Sequence, residues 1–138
     1  MLQSEAVERL VAAARSARER ARAPYSNFSV GAAVICADGR IFEGCNIENA
    51  SYGLTICAER VALFCAVAAG CRDIDAIAIA GPGSEPLSPC GACRQVMLEL
   101  APGAQVIMAG DPAPRIRTVE QLLPEAFGNP APGGTGAA

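Results

Sequence analysis

Histidine and tryptophan are both absent from the 138-residue chain, and so is lysine. Without an imidazole, any metal site in this chain has to be built from thiolates and carboxylates. General acid–base chemistry likewise falls to Glu, Asp, Tyr or Cys. The missing lysine makes all 11 basic residues arginines, and this absence touches none of the site residues proposed below.

Long apolar segments and a surplus of positive charge are also missing. No stretch reaches the roughly 20 apolar residues of a membrane span, and no basic segment followed by an apolar run marks a signal peptide. We therefore expect no membrane partner and a cytoplasmic location, where a Cys-x-x-Cys pair favours metal or redox chemistry. A net charge of −3 and a pI near 4.9 disfavour a nucleic-acid partner.

The chain length is that of one domain, which we place over residues 1–127. A domain of this size buries roughly two-thirds of its unfolded surface. The hydrophobic content of 51% suggests further burial between subunits. Residues 128–138 are rich in Gly, Pro and Ala with little to bury, and we expect that tail to be disordered.

The order of the apolar patterns predicts helices on both faces of one sheet. Small apolar residues recur at helical spacing from residue 6 to residue 21, where Ser4 can cap the helix and Pro24 ends it. Asp38-Gly39 between apolar runs at 29–37 and 41–45 predicts a hairpin. The other expected elements are a loop at 46–56, a helix at 57–69, a strand at 74–80, a helix that follows Pro89 and runs to about residue 100, a strand at 105–109, an edge strand at 116–118 and a short helix at 119–123. This order predicts an α/β fold, a three-layer α/β/α sandwich with a mixed five-stranded sheet.

Three cysteines and one glutamate lie at the predicted starts of two helices. Cys90 and Cys93 share one face of a first helical turn, and Cys57 begins a different helix. Helix N-termini stabilise thiolates, so two of them aimed at one point would cradle a three-thiolate metal site. A catalytic zinc takes three protein ligands and leaves its fourth position to water, so Glu59 stays free to act as a base.

The charge of this ligand set suggests a role for Arg60. Three thiolates on Zn²⁺ leave an excess of one negative charge, which weakens the pull of the metal on water. Arg60 can offset it by donating a hydrogen bond to a ligand sulfur. An activated water could then attack an electron-poor carbon bearing an amino group, while Glu59 moves protons to the ring and to the departing amine. The pattern predicts a zinc hydrolase of the deaminase type.

Residues outside this constellation have simpler interpretations. By composition, Phe28 favours packing in the core, and Phe127 favours an aromatic pinned to it. Asn46 and Glu48 are two apart in an extended segment, so both could meet the hydroxyls of one sugar or end in solvent. Four cysteines in apolar segments are predicted to be small buried hydrophobes: Cys36, Cys45, Cys65 and Cys71.

Four segments of the chain form an ordered set of motifs. They are Tyr25-Ser26-Asn27-Phe28-Ser29-Val30-Gly31-Ala32-Ala33, Gly44-Cys45-Asn46-Ile47-Glu48-Asn49-Ala50-Ser51-Tyr52, Cys57-Ala58-Glu59-Arg60 and Pro89-Cys90-Gly91-Ala92-Cys93-Arg94-Gln95. From the first helix to about Phe127, the sequence resembles the small, homotetrameric cytidine deaminases. The resemblance implies hydrolysis of cytidine and 2′-deoxycytidine to uridine and 2′-deoxyuridine plus ammonia in pyrimidine salvage. It also implies a cytidine deaminase-like fold and one zinc per subunit.

The resemblance further implies roles for individual residues. Glu59 would shuttle protons, and zinc would be held by Cys57, Cys90 and Cys93, with thiolates tuned by Arg60 and Gln95. The substrate would contact Phe28 through its pyrimidine, Asn46 and Glu48 through its ribose hydroxyls, and the Ala58 backbone through its base. In a homotetramer with shared sites, neighbouring subunits would contribute Ala50, Tyr52 and Phe127.

Three other functions compete with this one. A related zinc deaminase could act on another aminopyrimidine or aminopurine, including a nucleoside antibiotic or a nucleic-acid base, although a polymer would favour a basic channel. A binding module with a structural zinc would need a fourth protein ligand, and no fourth cysteine fits the motif. A dithiol redox site at Cys90 and Cys93 would leave the Cys57-Ala58-Glu59 motif unexplained.

Overall fold

The structure is a computed structural model that describes residues 1–128. These residues form four α-helices, a single turn of 3₁₀ helix and five strands. In chain order the elements are α1 (Ser4–Arg18), β1 (Gly31–Cys36), β2 (Ile41–Cys45), the 3₁₀ turn (Tyr52–Leu54), α2 (Ala58–Ala68), β3 (Ile74–Ala80), α3 (Gly91–Leu100), β4 (Gln105–Met108), β5 (Arg115–Thr118) and α4 (Val119–Leu122).

The five strands form one mixed sheet in the order β2-β1-β3-β4-β5. Strand β1 pairs antiparallel with both β2 and β3, β3 runs parallel to β4, and β4 pairs antiparallel with β5. The hairpin predicted from Asp38-Gly39 is present, and Gly39 adopts a φ of +92°, which glycine tolerates without a steric penalty.

Alternating side chains divide β1 between two cores. Ala32 and Val34 face the layer formed by α2 and α3, whereas Ala33 and Ile35 face α1. The buried face of α1 contributes Leu10 to the second core. Helices therefore cover both faces of the mixed sheet, and the predicted three-layer α/β/α sandwich is confirmed.

The start and end of the first helix differ from the prediction. Gln3, and not Ser4, occupies the N-cap position, and its side chain makes no capping hydrogen bond within residues 1–128. The helix ends at Arg18, six residues before Pro24. The chain leaves the helix because Arg22 pairs with the segment that follows β2: its N–H donates to Asn46 O at 2.9 Å, and its O accepts from Glu48 N at 2.8 Å. Helical periodicity alone could not reveal this tertiary contact.

Other boundaries lie within one or two residues of those predicted, apart from one omission. The loop expected at 46–56 contains the 3₁₀ turn at Tyr52–Leu54. The disordered tail expected at 128–138 lies outside the described residues from residue 129 onward. Within residues 1–128, no helix is both long enough and apolar enough to cross a membrane.

Helix α2 lies in direct backbone contact with strand β2 at Gly44. A Cβ atom added to Gly44 would stand 2.4 Å from Ala62 N and 2.7 Å from Ala58 O, distances at which the helix has to move. The missing side chain therefore sets the depth of α2 on the sheet. Because Cys57 is the N-cap residue of α2, this contact also helps to position the first candidate metal ligand.

The four cysteines outside the motif behave differently from the prediction. Cys36 and Cys71 are buried as expected, but they are joined in a disulfide across 35 residues of sequence. Cys45 is half-buried, and Cys65 is exposed on α2, so the prediction of burial is wrong for Cys65. Local hydrophobicity placed these residues in apolar segments, but it carried no information about which side of the helix Cys65 occupies or which cysteines meet in space.

Replacing both bridged cysteines tests the contribution of the disulfide to stability. The closed loop of 35 residues restricts the unfolded chain, so the Cys36→Ala/Cys71→Ala variant should lose about 3–4 kcal/mol of unfolding free energy in urea. Cys45→Ala, which removes an unbridged cysteine, is the control. Equal unfolding midpoints for the double variant and the unreduced wild type would show that the bridge does not form.

Candidate active site

The three predicted thiols meet at the starts of helices α2 and α3. Cys57 is the N-cap residue of α2, Cys90 is the N-cap residue of α3, and Cys93 lies in the first turn of α3. Their Sγ atoms all lie within 4.8 Å of one another, and those of Cys57 and Cys90 are 3.9 Å apart. Both helix starts therefore direct their partial positive charge toward the sulfur cluster.

The spacing of the sulfurs fits a zinc ion. Tetrahedral coordination at about 2.3 Å per Zn–S bond separates two sulfurs by roughly 3.8 Å, close to the 3.9 Å between Cys57 Sγ and Cys90 Sγ. Within residues 1–128, this trio is the one group of three or more cysteine or acidic side chains with ligand spacing. A set of three soft thiolate donors without a fourth protein ligand matches a metal site that keeps one position open.

Arg60 contacts this cluster from the first turn of α2. Its Nη2 donates to Cys57 Sγ at 3.4 Å, as the charge of the ligand set suggested. Hydrogen bonds from the Cys93 thiol and from Arg60 lower the pKa of Cys57 to about 5. The pKa of Cys93 is raised because its proton is held in the hydrogen bond to Cys57. Hydrogen bonding within the cluster therefore favours the thiolate at Cys57, and metal binding has to displace the proton held by Cys93.

Glu59 is a carboxyl buried beside the cluster, with 4% of its surface exposed. Burial, with a smaller contribution from the nearby Cys57 charge, raises the pKa of Glu59 to about 7, although the charge of Arg60 and a hydrogen bond with Cys93 act in the opposite direction. A carboxyl in this environment takes up and releases protons near neutral pH. This is the property expected of the side chain proposed to move protons.

Asn46 and Glu48 both reach the segment that carries Phe28. The buried Asn46 accepts from Val30 N through Oδ1 at 2.8 Å, and its Nδ2 donates to Phe28 O at 2.8 Å. Each end of the Asn46 amide keeps one further hydrogen-bonding position. The predicted sugar contact is thus compatible with a second role, because Asn46 also fixes the backbone on both sides of Ser29.

Glu48 holds the preceding turn of the same segment. Its Oε1 accepts from Tyr25 N at 2.9 Å and from Ser26 N at 3.2 Å, and its Oε2 accepts from Ser26 Oγ. These contacts, led by the Ser26 hydroxyl, lower the pKa of Glu48, so the carboxylate stays charged. Sequence reasoning assigned no role to Ser26, although its place in the Tyr25–Ala33 motif was a signal.

A cavity of about 360 Å³ opens next to Glu48. Six residues line it: Tyr25, Ser26, Glu48, Asn49, Tyr52 and Thr55. Its two aromatic rings, Tyr25 and Tyr52, meet edge to face at 6.0 Å. A larger cavity of about 980 Å³ lies at the starts of β3 and β4, where Ile74 and Gln105 line it. That larger cavity contains none of the predicted site residues.

The remaining predicted contacts are mostly exposed. Phe28 is 44% exposed and Phe127 is 86% exposed, so the core positions favoured by composition are wrong for both. Ala50 and Tyr52 are exposed as well, whereas Ala58 is fully buried at the start of α2. Residue type alone could not predict the exposure of Phe28 and Phe127, because both lie in segments outside the helices and strands that form the core.

Gln95 makes a different contact from the one implied by the resemblance. Its Nε2 donates to Phe127 O at 3.1 Å, and within residues 1–128 it makes no hydrogen bond to a sulfur. Gln95 instead holds the backbone of the chain segment that follows α4.

Comparison with known proteins agrees with this geometry. The family model for the cytidine and deoxycytidylate deaminase zinc-binding region matches residues 4–109. A cytidine deaminase from Halalkalibacterium halodurans is 52% identical over 120 residues, which are 86% of this chain and 91% of that protein. A cytidine deaminase from Sporosarcina psychrophila is 48% identical over 123 residues, covering 88% of this chain and 90% of that protein.

Solved structures give the same result for the fold. The crystal structure of cytidine deaminase from Burkholderia pseudomallei matches with a TM-score of 0.83 at 52% identity, over 91% of this chain and 100% of that one. The crystal structure of cytidine deaminase from Mycobacterium tuberculosis matches with a TM-score of 0.78 at 40% identity, over 88% and 96% of the two chains. The chain therefore belongs to the family that carries the cytidine and deoxycytidylate deaminase zinc-binding region.

Proposed function

We propose that this chain is a zinc-dependent cytidine deaminase that hydrolyses cytidine and 2′-deoxycytidine to uridine and 2′-deoxyuridine, releasing ammonia. One observation carries the proposal: three sulfurs with zinc spacing stand at two helix starts, with the buried carboxyl of Glu59 beside them. The names of the relatives at 52% and 48% identity point to the same reaction.

The thiols and Glu59 divide the chemistry between them. Zinc held by Cys57, Cys90 and Cys93 would supply the Lewis acid that activates a water. Glu59 takes one proton from that water and delivers it to the ring nitrogen, which makes the amino-bearing carbon electrophilic. After the oxygen has added to this carbon, Glu59 passes the second proton to the amine, which leaves as ammonia. Burial of Glu59 keeps bulk water from competing for these protons.

The segment from Tyr25 to Val30 is suited to hold a nucleoside. Phe28 is half-exposed, so its ring is free to lie against a pyrimidine, and Asn46 fixes the backbone that carries it. Glu48 is ionised at the edge of the 360 Å³ cavity, where a ribose hydroxyl would donate to it and a 5′-phosphate would be repelled. Arg22, the nearby cation, already donates to Glu48 O at 2.8 Å. These contacts favour a nucleoside over its monophosphate.

Substrate class is tested by ammonia release from cytidine, 2′-deoxycytidine, cytosine, dCMP and adenosine, together with the zinc content of the purified protein. We expect turnover of the first two substrates with one zinc per chain. Preferential turnover of dCMP or adenosine would replace the proposal with a related deaminase.

Glu59→Gln keeps the shape of the side chain and removes its ability to accept a proton. We expect zinc to be retained while kcat for cytidine falls by at least about 10²–10⁴-fold, the usual size of a general acid–base contribution. Glu99→Gln, which changes an exposed glutamate on α3, is the matched control. Unchanged turnover in Glu59→Gln would remove Glu59 from the mechanism. If the wild type binds zinc and shows no turnover, the protein is a binding module.

Arg60→Gln removes the cation that donates to Cys57 Sγ. The uncompensated thiolate charge should weaken the activation of water, so we expect a loss of activity of about 10–100-fold with zinc still bound. Arg72→Gln is the control, since Arg72 is an exposed arginine that donates to the carbonyls of Val67 and Cys71. Full turnover in Arg60→Gln would show that the site needs no charge compensation.

We also propose that the protein is a homotetramer whose sites are shared between subunits. Three large apolar side chains are exposed: Tyr52 at 75%, Leu54 at 63% and Phe127 at 86%. Exposed apolar groups of this size mark surfaces that a partner covers. The Phe127 backbone is tied to α3 by Gln95, so its ring is presented outward from a fixed point.

Light scattering of the purified protein tests this assembly. Four chains of 14.1 kDa should give a particle of about 56 kDa (4 × 14.1). Phe127→Ala should raise KM for cytidine, because the ring would belong to a neighbouring site. A single particle of 14 kDa with full activity would exclude shared sites.

A cytoplasmic location follows as part of the same proposal. Cys57, Cys90 and Cys93 must be reduced to bind metal, and the cytoplasm keeps thiols reduced. The Cys36–Cys71 disulfide is the feature that such a compartment would oppose. Alkylation of freshly lysed cells followed by mass spectrometry measures the redox state of the thiol trio and of the Cys36–Cys71 pair. Oxidation of the trio in the cell would contradict a cytoplasmic location.

A further inference from the structure

Arg94 uses all three of its guanidinium nitrogens to join separate parts of the chain. Its Nε donates to Pro89 O at 2.8 Å, its Nη2 to Ser88 Oγ at 2.7 Å, and its Nη1 to Leu122 O at 2.6 Å. Two of these contacts reach back to the loop before α3. The third crosses 28 residues of sequence to the last residue of α4.

The partners of Arg94 are next to the candidate metal ligand and to the end of the domain. Pro89 directly precedes Cys90, so the peptide that Arg94 holds is the one that places the Cys90 thiol. Leu122 leads into residues 123–127, and the neighbouring Gln95 holds Phe127 O at 3.1 Å. Adjacent residues on one turn of α3 therefore tie the C-terminal segment, defined here as residues 122–128, to the ligand loop.

The Arg94 side chain donates to uncharged acceptors. The salt bridges of residues 1–128 involve Arg15, Arg20 and Arg40, and none involves Arg94. Two carbonyls and a hydroxyl instead receive charge-assisted hydrogen bonds, which are about twice as strong as neutral ones. Arg94 is half-buried, so water competes only partly for these contacts.

We propose that Arg94 is a positioning residue that locks the Cys90 loop to the C-terminal segment, so that one side chain sets both the metal ligand and the segment presenting Phe127. The zinc and substrate parts of this inference rest on the proposed function. The link between loop and segment does not, since it is a property of the fold alone.

The geometry requires arginine specifically. The planar guanidinium presents donors in fixed directions, and here each of its nitrogens meets a different acceptor. A lysine has one ammonium on a flexible stem and cannot reach Pro89 O, Ser88 Oγ and Leu122 O together. Arg94→Lys therefore keeps the charge and breaks the link.

The experiment compares the full-length wild type with Arg94→Lys, Ser88→Ala and Arg117→Lys. Ser88→Ala removes one of the three contacts. Arg117→Lys is the control on β5, where the Arg117 side chain donates to the adjacent Ile116 O. Zinc affinity is measured by competition with a chromogenic chelator, and the C-terminal segment is followed by amide hydrogen exchange on a peptide covering 119–128. Thermal unfolding establishes that each variant is folded.

For Arg94→Lys we expect a loss of zinc affinity of about 10–100-fold, the usual effect of removing a group that orients a metal ligand. Exchange in the C-terminal segment should become faster in the same variant, and KM for cytidine should rise more than kcat falls. Ser88→Ala should give a smaller change in the same direction, and it carries the test if Arg94→Lys does not fold. Arg117→Lys should match the wild type.

If Arg94→Lys changes only one of the two readouts, zinc affinity or amide exchange in the C-terminal segment, Arg94 does not couple the Cys90 loop to that segment. A loss of thermal stability alone would reduce Arg94 to a structural residue and overturn the proposal as well. If the wild type binds zinc but does not turn over cytidine, the proposed function fails, while affinity and exchange still decide the role of Arg94.

Discussion

The convergence of three sulfurs within 4.8 Å is the constraint on which the site depends. Like charges this close repel, so at most part of the trio is ionised without a cation. The fold lowers this cost by pointing two helix starts at the cluster and by placing Arg60 against Cys57. A divalent ion with a preference for thiolates completes the charge balance, which is why the arrangement suits zinc better than a hard cation.

The same constraint determines the environment of Glu59. The residue lies two positions after Cys57 in the first turn of α2, so the helix that delivers a thiol also buries a carboxyl beside it. Opposite effects act on neighbouring groups here: hydrogen bonds from Cys93 and Arg60 favour the charged form of Cys57, and burial favours the neutral form of Glu59. One metal ligand and the proton carrier thus arise from a single helical turn, and α3 supplies the other two ligands.

Sequence patterns predicted the layers and the sheet strands because these depend on local periodicity, and they paired Cys90 with Cys93 by spacing within one helical turn. Cys57 was added through the deaminase motif, because it lies on a different helix. They did not predict contacts between residues far apart in the chain. Nothing local joins Cys36 to Cys71, or Arg94 to Leu122, since each pair meets only after the sheet has formed. Likewise, the sequence left Asn46 between a sugar contact and a solvated strand end, whereas its amide holds the Phe28 backbone.

Gly44 shows how closely the chemistry is tied to backbone packing. A single added methyl group would sit 2.4 Å from Ala62 N, so it would push the whole of α2 away from the edge of the sheet. Cys57 would move with the helix while Cys90 and Cys93 stayed on α3. The spacing of the three sulfurs is therefore governed partly by a strand position that carries no donor atom, because a side chain there would shift one ligand-bearing helix and leave the other in place.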